Sequence, residues 1–248
     1  MSRADLHRNA RPIMAQAFKN VMGRDASPIE LQYAQAVAWL ETSYGNGWKG
    51  AMVGSNNWGA VQCSGAAQSG AGCIAYEDSY PDGTKYKVSF KSYPSPTAGA
   101  EDVVRHVFVQ RPKTGSVLSS SKPSAFRASY AMRREKYYGG FCPQATAQYG
   151  GEPARASFGK PDRDAGTKAC MAEAVAAHAK LTGSLAQEIA TANGDPNTLP
   201  QGEFADADKW WSGAPDIEPG GFIKKFGIAL VGGALGYLVV GKYVGKKG

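Results

Sequence analysis

Cysteine is scarce in this 248-residue chain. Cys63, Cys73, Cys142 and Cys170 are too few for a fold built on disulfides, and no spacing among them gives the paired C-x-x-C of a zinc site. No metal and no organic cofactor is indicated. The opening stretch, MSRADLHRNARPIMAQAFKN, holds no apolar run of signal-peptide length, so no cleavable secretory signal is expected. Acidic residues are missing from one end, where residues 222–248 carry five lysines and no Asp or Glu. Internal repeats are not evident.

What is present is an apolar fraction of 43%, sufficient for a core and incompatible with disorder throughout. The net charge of +7 divides unevenly along the chain. Residues 1–182 carry 22 Lys/Arg against 14 Asp/Glu, and residues 183–221 carry one Lys against seven acids. A basic folded region suits an anionic polymer such as a cell wall, a nucleic acid or a membrane surface. Residues 226–241, FGIALVGGALGYLVVG, are free of charge and bracketed by lysines. As a helix this run is about 24 Å long. Snorkelling lysines and extension to Val244 bring it towards the roughly 30 Å of a bilayer core. The expectation is a single C-terminal transmembrane helix within 222–248, touching lipid through 222–244, joined by an acidic flexible linker at 183–221 to a folded region at 1–182.

Within the folded region, Ser27-Pro28-Ile29-Glu30 combines an N-cap, a proline at the first helical position and a capping-box glutamate. Tyr33, Val37, Leu40 and Tyr44 continue at helical spacing until Gly45 and Gly47. The Tyr/Val/Ile/Phe pattern from Ile74 to Lys91, around Pro81-Asp82-Gly83, predicts a β-hairpin. A second capped helix follows Ser95-Pro96 and is expected to end at Pro112, with a flexible loop at 116–121. Shorter helices are expected near 123–135 and 166–182. Cys63 and Cys73 flank a Gly/Ser/Ala-rich stretch and are either a loop-closing disulfide, in an oxidising compartment, or two buried thiols.

Glu41 stands beside the apolar face near the end of the first of these helices, next to Trp39 and Tyr44. Desolvation there raises a carboxyl pKa and suits a general acid. The block AVAWLETSYGNGWKGAMVGSNNWGAVQ, residues 36–62, resembles bacterial glucosaminidases of the autolysin and flagellar type, within the lysozyme-like superfamily. The matching residues are Glu41, Ser43, Tyr44, Gly45, Ser55, Asn57, Trp58 and Gly59. Phe90 to Ser95 is similar to that family's F-x-x-Y-x-S segment, and Tyr130 to Gly140 to its tyrosine-rich segment. The resemblance covers roughly residues 30–140.

This resemblance implies a mainly α, lysozyme-like α+β fold with a small β-hairpin lobe, and a peptidoglycan hydrolase acting on β-1,4 glycosidic bonds. Glu41 would be the catalytic acid. Glu77, then Asp78, would be the water-activating base from the hairpin, and Tyr137 a further catalytic candidate interchangeable with Tyr138. Tyr44, Ser55, Asn57, Trp58, Gln62, Tyr93 and Tyr138 would bind sugar by stacking and hydrogen bonding. Gly59-Ala60-Val61-Gln62 is also similar to the Gly-x-Met-Gln element of lytic transglycosylases, which form 1,6-anhydro products without a water base. A non-catalytic wall-binding protein is a further alternative. No Lys/Arg cluster interleaved with aromatics stands out beyond 127–136, so nucleic acid is not the expected partner. The terminal anchor without a secretory signal suits a lysin carried in the internal membrane of a phage virion, or a bacterial cell-envelope enzyme.

Overall fold

The computed structural model describes residues 1–63, 72–79, 85–135, 137 and 165–203, with backbone alone at 78, 79, 86, 165–171 and 173. The expected membrane span at 222–244, the turn at Pro81-Asp82-Gly83 and Tyr138 lie outside these residues. Among the described residues no helix is long and apolar enough to cross a membrane. They form a mainly helical fold with one two-stranded sheet.

Helix α1, Arg3–Met22, was not anticipated from hydrophobic spacing. It starts on a capping box in which Ser2 Oγ accepts from Asp5 N at 3.2 Å while Asp5 takes Ser2 N at 3.0 Å. Helix α2, Pro28–Thr42, starts on the predicted Ser27/Glu30 box. Its whole stretch from Glu30 to Ala38 is buried, which makes it the central helix rather than an amphipathic surface one. Its buried amides are mostly spoken for. Gln35 Nε2 donates to His7 O at 3.0 Å, and Gln32 reaches Asp195 and the Asn197 carbonyl.

Strands β1, Cys73–Ser79, and β2, Lys85–Lys91, pair antiparallel with Cys73 opposite Lys91 and Ser79 opposite Lys85, as the sequence predicts. Ile74, Tyr76, Val88 and Phe90 pack against Trp48 and Met52, attaching this lobe to the loop that follows α2. Cys63 and Cys73 form a disulfide.

Helix α3, Pro96–Val104, is capped by Ser95 and runs into a π-helical turn, Arg105–Val109. The helix ends just before Pro112, as expected, and Pro112 itself opens α4, Pro112–Leu118, which occupies part of the expected loop at 116–121. At the first helical position proline has no intrahelical bond to lose. Helix α5 is Ala125–Arg134.

The last helix among the described residues, α6, spans Ala165–Asn193, well past the expected end at 182. The linker expected from residue 183 therefore does not begin there. Leu185 and Ile189 are buried against Ala36, Trp39 and Leu40. Asp195 takes both Arg11 Nη groups at 2.8 and 2.6 Å, and Leu199 is buried. The Pro200 and Gln201 carbonyls accept from Ala125 N and Phe126 N at the start of α5. Acidic composition hid these few apolar and capping contacts.

Candidate active site around Glu41

Helix α2 ends at Thr42, and Ser43 and Tyr44 follow with φ of 50° and 58°. Asn56 and Ala60 also have positive φ. These four are the non-glycine residues with positive φ among the described residues, and each costs on the order of 1–3 kcal/mol. All lie in the loop carrying the sequence block that resembles glucosaminidases. Hydrogen bonds hold that loop in place. Thr42 Oγ1 donates to Trp58 O at 2.9 Å and accepts from Gly45 N at 2.8 Å. Trp48 Nε1 donates to Asn57 O at 2.8 Å. Gly99 lets α3 approach, since a Cβ there would stand 1.7 Å from the Asn56 carbonyl oxygen.

Glu41 is half-buried at the end of α2. Burial pushes its pKa up to about 7, although a side-chain hydrogen bond with Tyr137 and the Arg111 charge both pull it down. Its carboxyl group therefore keeps its proton to a higher pH than an ordinary glutamate, the condition in which a group can give one up near neutral pH. The Tyr137 phenol is pushed well above its ordinary range by burial and by Glu41, so it remains a neutral donor. Arg111 stands over the Tyr137 ring, its Cζ 4.6 Å from the centroid.

The structure thus brings Glu41 and Tyr137 together and distributes the other predicted residues differently. Tyr44, Ser55, Asn57 and Trp58 are buried rather than open to a sugar. Asn57 spends its side chain inside the protein, donating to Val61 O at 2.8 Å and Lys91 O at 2.9 Å and accepting from Val61 N at 2.9 Å. Tyr44 packs between Trp39 and Trp58, and its hydroxyl meets His7 Nδ1 at 2.8 Å. These residues shape the loop. Gln62 bridges to Phe90, and its buried Nε2 has no partner among the described residues. Tyr93 donates to Asp102, which also takes Lys91 Nζ at 3.0 Å. Glu77 is exposed and pairs with Lys85 at 3.6 Å. Asp78 sits opposite Tyr86 in the hairpin register.

Arg111 was missed by sequence reasoning, and a polar group on the preceding helix leads to it. His106 Nδ1 lies 2.8 Å from Asp102 O, and Arg111 Nη1 donates to His106 O at 2.6 Å. Burial, then the Arg111 charge, lowers the His106 pKa and keeps that ring neutral near pH 7. The available signal was Arg immediately before Pro112, because a residue preceding proline leaves the helical region and takes its side chain off the helix line. A shallow concavity of about 500 Å³ between α1 and α6, lined by Arg8, Gln187 and Glu188 among others, contains none of these groups. No known protein family, curated protein or solved structure matches the chain.

Proposed function

We propose that this protein is a peptidoglycan glycosidase with a lysozyme-like catalytic domain and Glu41 as its general acid. The observation that carries the reading is the placement of the Glu41 carboxyl, half-buried at the end of the central helix beside Tyr137 and Arg111, where burial pushes its pKa up to about 7. An acid poised near the working pH protonates a glycosidic oxygen as the sugar bond breaks, a step that contributes roughly 10²–10⁴-fold to rate. The small hairpin lobe beside the loop that follows Glu41, and the glucosaminidase-like block at residues 36–62, support the same chemistry. In hydrolysis a second carboxylate, Glu77 or Asp78, activates water. The exposure of Glu77 and its pairing with Lys85 favour, as the second reading, a lytic transglycosylase in which a sugar hydroxyl replaces water.

Residues 222–244 are proposed to tether the enzyme to a membrane, in a phage virion or a bacterial envelope. The deciding experiment is zymography on purified peptidoglycan with the full chain, wild type beside Glu41→Gln, and mass spectrometry of the released muropeptides. Clearing by wild type alone is expected, with reducing ends marking a hydrolase and 1,6-anhydro ends a transglycosylase. Equal clearing by both proteins moves the site away from Glu41, and a folded wild type that clears nothing leaves a wall-binding protein.

A further inference from the structure

The helix that begins at Pro96 does not end in an ordinary way. After α3 the backbone continues as one π-helical turn, Arg105–Val109, and then leaves the helix at Arg111 with φ −129° and ψ 71° before Pro112 opens α4. A π-turn inserts an extra residue into the helical ladder and changes the direction in which later side chains leave it, and such turns recur at functional sites. The proline then holds Arg111 out of the helical region. Together these features fold the guanidinium back onto its own turn, where Nη1 donates to His106 O at 2.6 Å. Its planar group covers the Tyr137 ring, the residue hydrogen-bonded to Glu41. Arg111 Nε is buried without a partner among the described residues, so the ring and the His106 carbonyl are its recorded anchors.

We propose that Arg111 is a positioning residue for Glu41: it presses the Tyr137 ring into place against the carboxyl group and sets, through its fixed charge, the pH at which Glu41 loses its proton. The groups that face the guanidinium are Glu41 at the end of α2, Glu135 and Tyr137 after α5, and His106 on its own turn. Glu135 is committed elsewhere, accepting from Lys113 N, Thr114 N and Thr114 Oγ1 at 2.9–3.0 Å. Burial raises the Glu135 pKa, while these bonds and the Arg111 charge lower it. His106 is neutral near pH 7, and Tyr137 is neutral across the working range. Burial lowers the Arg111 pKa, but a guanidinium still keeps its charge near neutral pH, so its pull on Glu41 there depends on where the guanidinium is held.

The catalytic meaning of this assignment rests on the glycosidase reading, whereas its test does not. The full chain is labelled with carboxyl-¹³C glutamate, the Glu41 resonance is assigned by its loss in Glu41→Gln, and its pH titration is followed in wild type, Arg111→Met and Arg111→Lys. The Met variant keeps the stem on the ring without charge and is expected to raise the Glu41 midpoint by about one pH unit. The Lys variant keeps the charge and is expected to stay within about half a unit of wild type. An unchanged midpoint in folded Arg111→Met, or equal shifts in Met and Lys, overturns the proposal. If the Met variant does not fold, the Lys variant decides, since a full-unit rise with the charge retained also overturns it. In the peptidoglycan assay the alkaline limb of the rate should move with the Glu41 midpoint. A Glu41 titration that moves while no variant cleaves peptidoglycan leaves Arg111 in its role and removes the glycosidase reading.

Discussion

Replacing Glu41 with glutamine should stabilise the protein at neutral and alkaline pH and, on the glycosidase reading, abolish cleavage. In the fold the carboxyl group titrates at about 7, against 4.5 for an ordinary glutamate. The folded state therefore holds this proton more tightly than the unfolded chain. The stability it contributes is fully present below pH 4.5 and is lost as pH rises through about 7. At about 1.4 kcal/mol per unit, ionising Glu41 in place costs on the order of 3 kcal/mol above pH 7. Glutamine avoids that cost and keeps an amide beside Tyr137. For a domain of this size, roughly 2–4 °C of melting temperature accompanies each kcal/mol, so Glu41→Gln should melt roughly 6–12 °C above wild type at pH 8. At pH 4 the two should nearly coincide. Thermal and urea unfolding followed by tryptophan fluorescence measures both gaps. A gap of the same size at pH 4 and pH 8 would refute the reasoning, because it would mean that Glu41 carries no raised proton affinity.

Three other expectations follow from the packing. Gly99→Ala drives a methyl group into the Asn56 carbonyl and should destabilise the fold by about 3 kcal/mol or more, read as a lowered urea midpoint. Asn57→Ala removes three internal hydrogen bonds and should cost about 2–4 kcal/mol, with activity lost in proportion to loop order rather than as a change in KM alone. Ending the chain after Asn193 removes the Arg11–Asp195 pair and the burial of Leu199, and should lower the melting temperature by several degrees, whereas ending it after Glu203 keeps both contacts.

The start signals at Ser27-Pro28-Glu30 and Ser95-Pro96 were legible because capping is decided by residues within one turn. The hairpin was legible for a similar reason, through alternation and a turn motif. Helix α1 carried its own capping box at Ser2 and Asp5, but charged residues and Pro12 masked a regular apolar spacing. Glu41 and Tyr137 were legible as candidates, yet nothing local reveals that Tyr44 and Trp58 face inward. Their burial is set by His7, 37 residues away from Tyr44, and by the approach of α3 at Gly99. Arg111 depends on a π-turn, for which hydrophobic spacing has no signature. The packing of residues 183–203 rests on a handful of contacts with α1, α2 and α5 inside an acidic segment, so composition pointed the wrong way.

The burial of α2 by both ends of the described chain bears on when that helix is completed. Arg11 and Asp195 are separated by 184 residues, and α2 is enclosed only after α6 has docked beside it. Contacts of such long range are reached late in folding, after the entropy of closing a large loop has been met. A chain that emerges residue by residue therefore carries α2 with one face uncovered until α6 has been made. Without Leu185 and Ile189 the Ala36, Trp39 and Leu40 face of α2 stands uncovered, so the helix that ends beside Glu41 is complete only when nearly all of the described residues are present.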